Sequence, residues 1–82
     1  MAQIKYFGEI SELTGKKEEF IDAAWIFTLL KAIRDEYGEE VYKAAKTSHI
    51  FVNGENAGLK GGFIMKLRSS DVVQILPVTC GG

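Results

Sequence analysis

Several residue types that usually carry chemistry are scarce in this chain. Its 82 residues include one cysteine, one histidine, one tryptophan and one proline. A single Cys cannot form an internal disulfide, and with one His it cannot assemble a structural zinc site. A lone free thiol suits a reducing compartment. Ten Lys and Arg stand against eleven Asp and Glu, for a formal net charge of -1. The basic excess of a nucleic-acid or anionic-membrane binder is therefore missing. Long apolar runs are missing too: the longest, Ala23 to Leu30, is interrupted by Thr28 and falls far short of a bilayer span. The opening MAQIKYFG has neither an apolar signal core nor a small-residue cleavage site. The expectation is a soluble, cytoplasmic protein without nucleic-acid or membrane partners.

What is present is enough for one core. Apolar residues make up 46% of the chain, ordinary for a globular protein, and a chain of this length supports one small domain. Ile4 and Tyr6 alternate with Lys5 and Phe7, which predicts a strand over Ala2–Gly8. Ser11 to Gly15 reads as a turn, and Lys17–Asp22 as a second, more polar strand completing a hairpin. Asp22 is placed to cap a helix over Ala23–Tyr37, in which Ile26, Leu29, Leu30, Ile33 and Tyr37 form one apolar stripe. Lys31, Arg34, Asp35 and Glu36 lie mostly off that stripe and read as solvated. Trp25 and Phe27 flank it as core-edge residues.

Gly38 is a natural helix stop, and Glu39–Lys46 reads as a further short helix with Val41 and Ala45 inward. His49–Asn53 is a third strand, with Ile50 and Val52 on one side and Asn53-Gly54 as a turn. Phe63, Ile64 and Met65 are assigned to a short edge strand. Val72–Leu76 is the last strand, ended by Pro77. This order predicts an α+β fold, with one sheet and a helix across one face. Gly58-Leu59-Lys60-Gly61-Gly62 does not match the phosphate-loop order, so no nucleotide site is expected in this chain.

The closing Val78-Thr79-Cys80-Gly81-Gly82 is the most informative segment. Extended, five residues reach about 17 Å. Glycines contribute nothing to a core and lose the most backbone entropy on ordering. Ordering five residues costs roughly 5–10 kcal/mol, so residues 78–82 are expected to form a flexible tail on a domain spanning 1–77. A terminal carboxylate is ionised at neutral pH and is a poor electrophile until an oxygen is made a leaving group. A narrow channel admits glycine backbone where it excludes a β-carbon. The tail thus suggests a carrier worked on by other proteins.

The hairpin, the helix stripe, HIFVNG, LRSSDVV and the closing VQILPVTCGG together resemble the ubiquitin-like sulfur carriers. Within them the chain is most similar to the small, sulfur-carrying subunit of molybdopterin synthase. The resemblance spans nearly the whole chain, and its most specific parts are the Pro-Val-Thr-Cys-Gly-Gly ending and the Asp71-Val72-Val73 entry to the last strand. It implies a β-grasp fold with a mixed four- to five-stranded sheet, whose first and last strands are parallel central neighbours. It also implies a cycle run by partners. An E1-like adenylating enzyme uses ATP to activate Gly82, and a sulfur donor converts the acyl adenylate to a thiocarboxylate. The large subunit of molybdopterin synthase receives the tail and the sulfur. No cofactor or metal would be bound by the carrier itself, which would not be a stand-alone catalyst.

By position, Gly82 would bear the sulfur and Gly81 would thread the channel. Leu76, Pro77, Val78, Thr79 and Cys80 would contact partners, and Phe7 or Phe51 would join them on the sheet face opposite the helix. Ser70 stands where the family often has Gly, and Leu76 where a second Pro is common. Carriers for thiamine thiazole share the ending but have less helix after the main one, so the second helix favours the molybdopterin role. The alternatives are a carrier for thiamine thiazole or tRNA thiolation, a modifier joined to lysines, or a β-grasp binding module without carrier chemistry. Cys80 is read as a tolerant tail residue, with transient persulfide formation as the sharper alternative. His49 is read as a surface residue.

Overall fold

Alternation builds the sheet. In the computed structural model, which describes residues 1–78, Ala2, Ile4 and Tyr6 are buried and Gln3 and Lys5 half-buried along β1 (Ala2–Tyr6). The last strand, β5 (Val72–Leu76), repeats the pattern, with Val73 and Ile75 fully buried. These two strands lie side by side and parallel, with Ile4 opposite Val73 and Tyr6 opposite Ile75. On one flank β2 (Glu18–Ile21) runs antiparallel to β1. On the other, β3 (His49–Val52) runs antiparallel to β5 and is followed by a two-residue β4 (Glu55–Asn56). The order β2-β1-β5-β3-β4 is a five-stranded mixed sheet with helices packed on one face. This is the β-grasp architecture that the resemblance implied.

The link between β1 and β2 differs from expectation. Ser11 to Gly15 is not a simple turn, because Gly8–Thr14 forms a helix, α1. Ile10 is buried and Leu13 packs against the core, the three-residue spacing of a helix face. Gly15, at φ 75°, closes it by donating its N–H to the Ser11 carbonyl at 2.9 Å. Turn-forming residue types at both ends of a seven-residue helix hid its short apolar face.

The main helix, α2 (Ile26–Tyr37), starts three residues later than the periodicity suggests, and Asp22 does not cap it. Residues 24–26 instead pair with the segment 65–67. The Ile26 N–H donates to the Met65 carbonyl at 3.0 Å, and the Leu67 N–H donates to Ala24 at 2.8 Å. The first helical amide thus has a tertiary partner where a side-chain cap was expected. The stripe itself holds: Ile26, Leu29, Leu30 and Ile33 are buried against the sheet. Fully burying each such side chain is worth about 1.5–3 kcal/mol. Gly38 ends α2, and α3 (Glu39–Lys46) follows with Val41 and Ala45 inward.

Asn53 and Gly54 both take positive φ, 53° and 84°, and connect β3 to β4 as a tight hairpin. The segment after β4 is a further correction. Phe63, Ile64 and Met65 do not form an edge strand, since Gly62–Ile64 is a short 3₁₀ turn that follows another at Ala57–Leu59. Gly61 and Gly62 both sit at positive φ, 119° and 61°, which interrupts any extended run there. Among the described residues no helix is long and apolar enough to cross a membrane.

Candidate functional site

The segment that leads to the tail leaves the centre of the sheet. Strand β5 is hydrogen-bonded on both sides, with Tyr6 opposite Ile75 on β1 and His49 opposite Leu76 on β3. Its ladder to β1 ends where the Phe7 N–H donates to the Ile75 carbonyl at 3.2 Å. Pro77 then offers no amide, so neither flanking strand can continue the pairing through it.

Pro77 is seated by a close approach. A Cβ built on Gly8 would lie 3.1 Å from Pro77 Cγ, and Gly8 has φ 56°. Glycine is required there twice over, by the left-handed backbone that turns β1 into α1 and by the ring beside it. An open groove of about 410 Å³, lined by residues including Lys5, Phe7, Gly8, Ser11 and Lys17, lies on this side.

The register settles which residues face outward on the side of the sheet away from α2. Phe51 stands opposite Gln74, and Gln74 opposite Lys5, across the three adjacent strands. The next outward row joins His49 to Leu76. The rings of His49 and Phe51 have centroids 6.5 Å apart. Phe7, just beyond β1, is also exposed. Leu76, Pro77, Phe7, Phe51 and His49 thus gather where the chain leaves β5, a surface of apolar groups edged by Lys5, Lys17 and Glu18.

Two carboxylates hold this end and its opposite in place. Glu19 of β2 accepts hydrogen bonds from Tyr6 Oη at 2.6 Å and Tyr37 Oη at 2.5 Å, and pairs with Lys16 Nζ at 3.2 Å. Burial works against its charge, but the bonds from Tyr37, Tyr6 and Lys16 outweigh it and hold its pKa below the ordinary value. At the start of β5, Asp71 accepts from the Arg68 N–H at 2.8 Å and from Asn53 Nδ2 at 2.9 Å. Asn53 Oδ1 in turn accepts from the Val72 N–H at 2.9 Å. The Arg68 amide is the main cause of a lowered Asp71 pKa, which burial opposes and the Asn53 bond reinforces. Asp71 therefore locks the register of β5 against β3.

Of the residues singled out from sequence, Leu76 and Pro77 are half-buried at the strand exit and Val78 is exposed. Thr79, Cys80, Gly81 and Gly82, with the flexible tail expected there, lie outside the described residues. Gly8 and the Tyr6–Glu19–Tyr37 clamp were not anticipated. Gly8 had a signal, since a glycine closing the strand pattern two residues before Ile10 marks a backbone reversal. The clamp had none, because its members are separated by 13 and 18 positions. No group of three His, Cys, Asp or Glu among the described residues could hold a metal ion.

The sequence matches the model of the ThiS family over residues 4–82. No curated protein sequence matches the chain. Among solved structures it is similar to the small archaeal modifier protein 1 of Methanosarcina acetivorans, at 23% identity and TM-score 0.85, covering 99% of this chain and 95% of that one. It is also similar to the putative molybdopterin converting factor, subunit 1, of Pyrococcus furiosus. There the identity is 25%, the TM-score 0.74, and the coverage 93% of this chain and 94% of that one. A structure of the Amycolatopsis orientalis BexX/CysO complex matches at 17% identity and TM-score 0.84, covering all of both chains.

Proposed function

Because the chain belongs to the ThiS family of ubiquitin-like sulfur carriers, we propose that it carries sulfur on Gly82 for the synthesis of molybdopterin, the molybdenum or tungsten cofactor. The observation that carries this reading is the family match running through to Gly82, on a chain whose central strand β5 is followed in sequence by Pro77-Val78-Thr79-Cys80-Gly81-Gly82. The 25% identity to the Pyrococcus furiosus converting-factor subunit favours the molybdopterin pathway.

The chemistry requires Gly82 to bear the terminal carboxylate. A carboxylate oxygen attacks the α-phosphate of ATP on an E1-like partner, forming an acyl adenylate and releasing pyrophosphate. Hydrosulfide released by the donor then attacks the acyl carbon, AMP leaves with the electron pair of the broken C–O bond, and the thiol proton is lost to leave a thiocarboxylate. In the large synthase subunit that sulfur passes to the pterin precursor, and water restores the carboxylate. The carrier supplies no catalytic group and binds no nucleotide. Five residues, if fully extended in a partner, would span at most about 17 Å, and the last two carry no β-carbon to obstruct a narrow channel. Leu76, Pro77 and Val78, with Phe7 and Phe51, dock on partners while Thr79 and Cys80 pass into the channel.

Intact-mass measurement after incubation with the activating enzyme, ATP and a sulfur donor tests the carrier chemistry. The expected result is a mass gain equal to replacing one oxygen by sulfur, lost in Gly82→Ala. An unchanged mass would overturn the reading. Molybdopterin formation with the large synthase subunit tests the pathway, and a charged protein that serves only thiazole or tRNA thiolation would redirect it.

A further inference from the structure

The two rims of the sheet are finished differently. At one rim β4 is two residues long and runs straight into the turn at Ala57–Leu59. At the other, β2 is a four-residue strand that pairs only with β1 among the described residues. The Tyr6 N–H donates to the Lys17 carbonyl at 2.8 Å. Antiparallel alternation then points the N–H and C=O groups of Glu18 and Phe20 away from the sheet. The register is unbroken along β2, with neither bulge nor proline to close the rim. Such a row of unpaired backbone groups is a template for another strand. Glu19 is the inward charge that would resist one, and it is already satisfied by Tyr6, Tyr37 and Lys16.

Side chains on both faces of this rim suit an added strand. A shallow groove of about 300 Å³ runs between β2 and α2, and half-buried Ile21, Ala32 and Tyr37 give it apolar ground. Its charged lining residues are Glu19, Asp22 and Glu36, with no Lys, Arg or His. The Asp22 and Glu36 carboxylates, one on each wall, accept no hydrogen bond and form no ion pair among the described residues. The cations of these elements are placed elsewhere. Lys16 is held by Glu19 at 3.2 Å and Arg34 by Glu39 at 3.6 Å. Lys17 lines the separate groove beside Gly8, and exposed Lys31 does not line this one. On the outer face Phe20 is 61% exposed, opposite Gln3. Glu18 there is matched by Lys5 across the strands and by Gln3 Nε2, which donates to it at 2.8 Å.

We propose that the β2 rim receives an extended, basic segment of another protein as an added strand. Its backbone pairs with Glu18 and Phe20, and its alternate side chains pack on Ile21 and Ala32 on one face and on Phe20 on the other. Its Lys or Arg side chains meet Asp22 and Glu36. Main-chain hydrogen bonds supply affinity in this mode, and the alternating side chains supply selectivity. A second copy of the chain is a poor occupant, since pairing β2 with itself about Phe20 sets Glu18 against Asp22. The tail leaves from β5, on the far side of β1, so the rim can be occupied while the tail is engaged. The inference stands apart from the sulfur chemistry and does not need it.

The probe is a capped peptide of about eight residues, alternating valine and threonine with a lysine at each end. Titration into the full chain, followed by amide shifts, is expected to saturate, with shifts confined to β2, its β1 partners and α2. Hydrogen exchange at the Phe20 N–H should slow about tenfold at saturation, a response that side-chain contact alone does not give. The double variant Asp22→Lys with Glu36→Lys, and separately Phe20→Ser, are each expected to weaken binding about tenfold or more. Both change exposed side chains, and retained amide dispersion shows that they fold. A peptide N-methylated at the amides facing β2 should not bind. Equal binding of a peptide with glutamate replacing lysine would overturn the proposal. So would the absence of binding, an unprotected Phe20 amide in the saturated complex, shifts centred on Leu76 and Phe51, or a dimer in sedimentation abolished by Phe20→Ser.

Discussion

The two faces of the sheet are built from the same strands and do different work. Inward, Ile4, Tyr6, Val52, Val73 and Ile75 are nearly or wholly excluded from water and meet α2. Outward, Lys5, Gln74, Phe51, His49 and Leu76 stay partly or fully exposed. Period-two alternation lets one strand serve both sides without compromise. Stability and recognition are thereby separated residue by residue, and substitutions on the two faces should show different signatures.

The largest effect belongs to the inward face. Ile75→Ala should lower unfolding free energy by about 2–5 kcal/mol, read by urea denaturation. A smaller loss would mean that the core around β5 collapses easily onto the gap.

The clamp at the sheet's edge comes next. Glu19→Gln keeps one acceptor but loses the charge, and should cost about 1–2 kcal/mol at neutral pH. Glu19 has a folded pKa below its ordinary 4.5. Its contribution is therefore complete above that value and lost as pH falls through the folded one. The gap between wild type and Glu19→Gln should narrow on acidification below about pH 4.5. A gap that is constant in acid would sink the assignment of the stabilisation to the charged form.

The smallest stability change belongs to the outward face. Phe51→Ser should alter unfolding free energy by no more than about 1 kcal/mol. It should nevertheless weaken binding to the activating enzyme about tenfold. A large stability loss, or unchanged affinity, would erase the division of labour between the faces.

Much of this was legible in the sequence. The alternation of Ile4 and Tyr6, and the stripe from Ile26 to Tyr37, fixed the main elements because burial imposes their periods directly. The exit at Leu76 and Pro77 was legible because proline forbids pairing. The misreadings share one cause, tertiary contacts that override local chemistry. Asp22 lost its capping role to the Met65 carbonyl, which is 39 residues away from the amide it accepts. Helix α1 was masked by Gly8 at its start, Ser11 within it, and Thr14 and Gly15 at its end. The loop of Gly61 and Gly62 took a compact path because backbone freedom there exceeded the strand preference of Phe63 and Ile64. The Tyr6–Glu19–Tyr37 clamp joins three elements that only the folded chain brings together.

The seating of β5 between β1, to which it is parallel, and β3, to which it is antiparallel, has a mechanical consequence. A protein that tugs on the residues beyond Pro77 pulls along the strand, so the hydrogen bonds on both sides bear the load together, in shear. They cannot be unzipped one at a time from that end. Tension applied along β5 is therefore borne by the whole sheet and does not peel its strands apart in turn.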